Sequence, residues 1–222
     1  MMLPAGQPLH DPAQAEYRYV KHGILSLPLA VVALSLPTHG PAAAQAMTNP
    51  TQVQSGTYHV EPEHTQVAFT VLHLGFTNYL GLLSHASGTL ELDAHDPSRT
   101  KLSVTIPVDS VQTTNSRLTG ELKGEQWFDA ARFPTATFTS TTIRLTGQDD
   151  AIVTGNLTLH GVTKPETLRV HFIGAGINAM DGKYTAGFEA TATIRRSDFG
   201  IKMYVPQVSD DVQLRMSGAF ER

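Results

Sequence analysis

Cysteine is absent from the 222 residues, and that one gap excludes disulfides, thiolate metal sites and cysteine nucleophiles. Charge is scarce as well. Asp, Glu, Lys and Arg make up 16% of the chain, below the roughly one quarter typical of soluble domains. With a formal net charge of −4 there is no basic field to hold a nucleic-acid backbone, so nucleic acid is excluded as a partner. The chain also lacks G-x-S-x-G, a P-loop and G-x-G-x-x-G, and its ten histidines never fall at H-x-H or H-E-x-x-H spacing. Neither a nucleophile nor a metal site is therefore expected. Asp198-Phe199-Gly200 spells the kinase triplet without the catalytic loop or the lysine strand that give it meaning.

What is present starts with three kinds of stretch in sequence near the N-terminus. Arg18 and Lys21 precede an apolar run over residues 24–36, interrupted by Pro28 and stopped by Pro37, and the small-residue tract Ala42-Ala43-Ala44-Gln45-Ala46 follows. A basic, apolar and small-residue order of this kind reads as a secretory signal peptide. The run is too short for a permanent span, which needs about 20 apolar residues. The expected division is a signal peptide over residues 1–46, a flexible polar lead-in over 47–56 and one domain over 57–222.

Within that domain the apolar residues recur every second position. From His64 to Phe76 the odd positions Thr65, Val67, Phe69, Val71 and His73 form one bulky face, and the even positions are small or polar. A period of two marks a strand with one dry face. Further stretches repeat the design: Leu90 and Leu92; Val104, Ile106 and Val108; Leu157 and Leu159, turning at His160-Gly161; Leu168, Val170 and Phe172; Phe188 and Ile194; Val212 and Leu214. Pro107 lies within one of them and implies an edge or a bulge. A change of parity between Ala136-Phe138-Ser140 and Ile143-Leu145 implies a second bulge. Only residues 113–134 depart from the strand period. There Leu118, Leu122, Trp127 and Phe128 fit a short helical insert, with Asn115 or Ser116 as cap and Phe133-Pro134 as stop.

Eight or nine such strands predict an all-β antiparallel sheet that curls or splits. Periodicity leaves both a closed barrel and a filled sandwich open. The inward set is equally compatible with a packed core. Arg196 shares the parity of Phe188 and Ile194 and is a candidate to meet an anionic head group, or else pairs with Asp198, Asp210 or Asp211; Arg195 should point outward. His73 either bonds backbone groups at its strand end or is the polar stop of the dry face. Trp127 and Phe128 either pin the helix or line the opening.

The motif order resembles the YceI-like family. The resemblance is carried by His64-Thr-Gln-Val-Ala-Phe-Thr-Val-Leu-His73, Asp109-Ser110-Val111-Gln112-Thr113, Trp127-Phe128-Asp129 with Phe133-Pro134, the run Leu157 to Pro165, and Arg196-Ser197-Asp198-Phe199-Gly200. It implies a lipocalin-like eight-stranded antiparallel barrel, exported to the periplasm and often dimeric, whose cavity binds polyisoprenoid or related long-chain lipids. One departure stands in residues 117–122, which read Arg-Leu-Thr-Gly-Glu-Leu where the family often has a histidine or aspartate. On this basis the chain is expected to be a non-enzymatic lipid-binding protein and a homodimer, with no cofactor other than its lipid; transient membrane contact is left open. The rival expectations are an enzyme acting on a lipid or quinone, and a structural module with a filled barrel.

Overall fold

The computed structural model describes residues 46–222; the expected signal peptide lies outside the described residues apart from Ala46. The strands are β1 (Gly56–Val60), β2 (Gln66–His73), β3 (Thr77–Leu83), β4 (Ser87–Leu92), β5 (Lys101–Pro107), β6 (Gln112–Thr113), β7 (Thr135–Leu145), β8 (Asp150–Leu159), β9 (Val162–Ile177), β10 (Tyr184–Arg195) and β11 (Asp211–Glu221), with one helix, α1 (Ser116–Leu122). All pairings are antiparallel, and β1 closes on β11 through His59 opposite Glu221 and Val60 opposite Phe220. The eleven segments make eight staves. β1 with β2, β3 with β4, and β5 with β6 are each one stave broken midway, because β11 pairs with both β1 and β2, β4 pairs with β1, and β3 pairs with β2. Closure leaves no long free edge and gives a barrel wide enough to hold one small ligand.

The three breaks lie side by side and are held by local bonds. Glu61 accepts the amides of Glu63 and His64 at 3.0 and 2.8 Å, turning the chain between β1 and β2. The next stave bends at His85, whose φ is +58°. The third bends through the turn Val108–Ser110, where the Ser110 hydroxyl donates to Pro107 O at 2.6 Å and accepts Ser84 N–H at 3.1 Å. Pro107 pairs with Thr135 on one side and lies beyond the end of β4 on the other, so its missing donor falls on unpaired backbone. Val108 is a correction: it opens that turn rather than extending β5, and its side chain is buried outside the cavity.

The parity change in β7 is a bulge between Ser140 and Thr142. Asn115 caps α1, its side chain accepting the amides of Arg117 and Leu118 at 3.0 and 3.2 Å. Ahead of β1, Met47 and Ala175 exchange backbone hydrogen bonds at 2.7 and 2.8 Å, and Val53 is buried. The packed core divides into two clusters. One gathers Tyr58, Val60, Leu90, Phe172 and Phe220; the other joins Phe69, Val111, Leu122, Leu159, Ile194 and Phe199 beneath the helical insert.

Candidate functional site

Between the two clusters the barrel is hollow. A cavity of about 970 Å³ runs from a rim at Asp93, Pro97 and Asp149 to a rim at His73, Tyr79 and Tyr204. Its volume is at the upper end of the range of about 300 to 1,000 Å³ found for ligand pockets. The strand parity read from the sequence places its walls. β2 sends in Val67, Phe69, Val71 and His73, β4 sends Leu90 and Leu92, and β5 sends Val104 and Ile106. From the opposite side come Leu157 and Leu159 of β8, Leu168, Val170 and Phe172 of β9, Phe188 and Ile194 of β10, and Val212 and Leu214 of β11.

Arg196 lies at the end of the cavity under the insert, buried, with its guanidinium carbon 5.7 Å from the centre of the Trp127 ring. Four of its five N–H groups are already engaged. Nε donates to Ser209 O at 2.9 Å, Nη1 to Ile201 O and Met203 O at 3.1 and 2.8 Å, and Nη2 to Val208 O at 2.8 Å. The side chain thus ties residues 201–209 to the barrel, and the two-pronged fork expected for an anionic oxygen is not free. The ion pair that the sequence left open belongs to its neighbour: Arg195, pointing outward, donates to Asp210 Oδ2 from both Nε and Nη2 at 3.1 Å. Burial draws the Arg196 pKa below its ordinary value, with Asp210 opposing the shift.

Of the two roles open to His73, the strand-end hydrogen bond is not made by its side chain. Its imidazole makes no hydrogen bond among the described residues; it stands exposed at the cavity mouth, its ring 6.3 Å from that of Tyr79. The strand-end bond is made by backbone instead, Phe76 N–H donating to His73 O at 3.0 Å. Trp127 and Phe128 both reach the cavity, and Phe128 meets Phe69 edge to face at 6.5 Å between centroids.

Several lining residues were not foreseen. Phe138 and Ile143 face inward on either side of the β7 bulge, and Leu118 and Leu122 reach in from α1. Glu166 also lines the cavity, two residues before Leu168 on the same face of β9. It makes no hydrogen bond or ion pair among the described residues, and burial, then the charge of Asp198, raise its pKa above the usual carboxylate value. Counting back from Leu168 at period two would have found it; Pro165 and the adjacent turn masked the strand. Among the described residues, no three His, Asp or Glu side chains come together to hold a metal ion.

A YceI-like domain model matches residues 58–220. Protein YceI of Salmonella arizonae is 40% identical over 157 residues, covering 71% of this chain and 81% of that protein. Among solved structures, Burkholderia cenocepacia BcnA superimposes with a TM-score of 0.65 at 24% identity, covering 72% of this chain and 98% of BcnA. A polyisoprenoid binding domain from Saccharophagus degradans superimposes with a TM-score of 0.53 at 15% identity, covering 74% of this chain and 97% of that domain. The two superpositions show a shared fold; the matched domain model and the level of identity to the Salmonella protein place this chain in the YceI-like family.

Proposed function

We propose that this protein is an exported binding protein, not an enzyme, that shelters the chain of a polyisoprenoid or related long-chain lipid, such as a quinone or prenyl lipid, for transport or storage. The observation that carries the reading is the cavity itself: about 970 Å³, running from rim to rim and walled almost throughout by hydrocarbon and aromatic rings. Each methylene transferred from water to such a wall contributes about 0.8 kcal/mol, so a dozen carbons give on the order of 10 kcal/mol gross. Association costs about 4 to 15 kcal/mol, so only a ligand with several isoprene units binds tightly. Length, rather than a specific head group, is then the main selector.

The family resemblance and the ligand of the Saccharophagus domain support the chemical class. Export is supported by the basic, apolar and small-residue order of residues 18–46. In this reading Arg196 places a fixed positive charge beneath the Trp127 end of the chain, with one Nη2 hydrogen left for a head-group oxygen. Native mass spectrometry after gentle purification, with organic extraction of the bound material, tests the function. The expected result is a one-to-one adduct that extracts as a prenyl lipid. A protein that is isolated empty and takes up no member of a prenyl-lipid series would sink the proposal.

A further inference from the structure

The geometry points to a second function for the β2–β3 hairpin: we propose that its tip docks the barrel on a phospholipid bilayer, with the His73 rim of the cavity facing the lipid phase. The tip is built to display apolar side chains. Leu74 and Gly75 take φ values of +53° and +74°, which reverse the chain in three residues and leave Leu74 50% and Phe76 86% exposed. Leu72 and Leu80, on the outer face of the same hairpin, are 46% and 51% exposed. Tyr204, 59% exposed, stands in the neighbouring loop, which is bonded to the hairpin by Leu74 N–H to Gln207 O at 2.8 Å and by Ser209 N–H to Leu72 O at 2.9 Å. Apolar side chains concentrated in this way mark a surface that meets another apolar phase.

Charge argues for lipid as that phase. Residues 64–90 contain no Asp, Glu, Lys or Arg, so the hairpin can enter the interfacial region without desolvating an ion. Lys202, exposed and without an ion-pair partner among the described residues, lies two residues from Tyr204. An aromatic ring and a cation at one level form the usual anchor at a headgroup layer. Continuity with the cavity argues for the same partner. Phe76 sits in the turn between His73 and Thr77, and both of these line the cavity. A chain leaving the bilayer beside Phe76 reaches Tyr79 and Val71 without crossing water, whereas a second copy of the protein would cover that mouth. The inference rests on the cavity taking a lipid.

The absence of cysteine makes a unique reporter possible. Phe76→Cys in the full chain, labelled with an environment-sensitive fluorophore, should show a several-fold rise and a blue shift on adding phosphatidylcholine vesicles, at both physiological and molar salt. The same label at Ser98→Cys, at the opposite rim, should not respond. Leu74→Ser combined with Phe76→Ser should slow uptake of prenyl lipid from donor vesicles at least tenfold, while uptake from detergent solution is unchanged. Docking is refuted by no vesicle response at position 76, by an equal response at 98, or by a response that appears without vesicles and grows with protein concentration. It is also refuted if the double variant loads from vesicles at the parent rate. If the parent takes up no lipid from detergent either, the cavity function fails, and the reporter at position 76 still decides docking.

Discussion

Phe69 and Gly81 face each other across the β2–β3 ladder, and the Phe69 ring occupies the space that any side chain at position 81 would need. Gly81, by having no side chain, leaves the room in which the Phe69 ring sits as part of the cavity wall. Gly81→Val drives the ring off its rotamer and into the cavity, at a cost of about 1 to 3 kcal/mol. Thermal or urea unfolding reads that loss, and Phe69→Leu in the same chain should recover most of it. Additive losses in the double variant would show that the two residues do not contend for one space.

Removing the Arg196 guanidinium strands the carbonyls of Ser209, Ile201, Met203 and Val208. Arg196→Met should destabilise the fold by about 3 kcal/mol or more, since each buried unpaired acceptor costs about 1 to 3 kcal/mol and the loop relaxes only in part. Arg196→Lys should recover little, because one ammonium cannot span the fork. Unchanged denaturant midpoints with weakened ligand binding would instead make Arg196 a ligand contact alone.

Ala190 lines the cavity from β10. Ala190→Trp fills part of it with an indole. Displacing two methylenes of a bound chain at about 0.8 kcal/mol each weakens the longest prenyl lipids by roughly tenfold. Short prenyl lipids should bind as before. Competition between chain lengths, read by native mass spectrometry, checks the order; a uniform loss across all lengths would mean that the wall had been distorted.

Two carboxylates set opposite pH dependences. Burial opposes ionisation of Asp210, but the Ser197 hydroxyl and amide, bonded at 2.7 and 2.8 Å, and the Arg195 pair outweigh it and hold the pKa below the usual value. A depressed folded-state pKa contributes stability above the unfolded value of about 3.9, lost as pH falls through the folded one. Asp210→Asn should therefore lower stability at neutral pH and flatten the acid limb. Glu166 is the reverse case, its pKa raised by burial and then by Asp198. Its contribution is present below about pH 4.3 and is lost as pH rises through the folded pKa. Glu166→Gln should stabilise the protein at pH 7 and make no difference in acid. Melting curves across pH test both signs.

The places where the sequence misled are the places where a strand stops being regular. Val108 keeps the parity of Val104 and Ile106, yet Ser110 caps the chain into a turn one residue after Pro107, and parity has no meaning past a turn. Glu166 sits in a strand whose start, at Thr163-Lys164-Pro165, looks like a loop in composition. Arg196 lies on the inner side of Arg195, but its partners are backbone carbonyls from residues 201–209, which no side-chain pattern announces.

Periodicity alone determined which side chains share a face, from Val67 and Phe69 to Val212 and Leu214, because successive residues of a strand alternate whatever surrounds them. Composition likewise removed thiol chemistry, since the chain holds no cysteine. Only the tertiary structure decided that the shared face encloses space. The eight staves close through His59–Val60 against Phe220–Glu221, and strand number and stagger set the radius of a closed barrel. The same apolar residues would fill a sandwich, where two sheets approach until their side chains meet; here the backbone hydrogen bonds around the ring hold the walls apart.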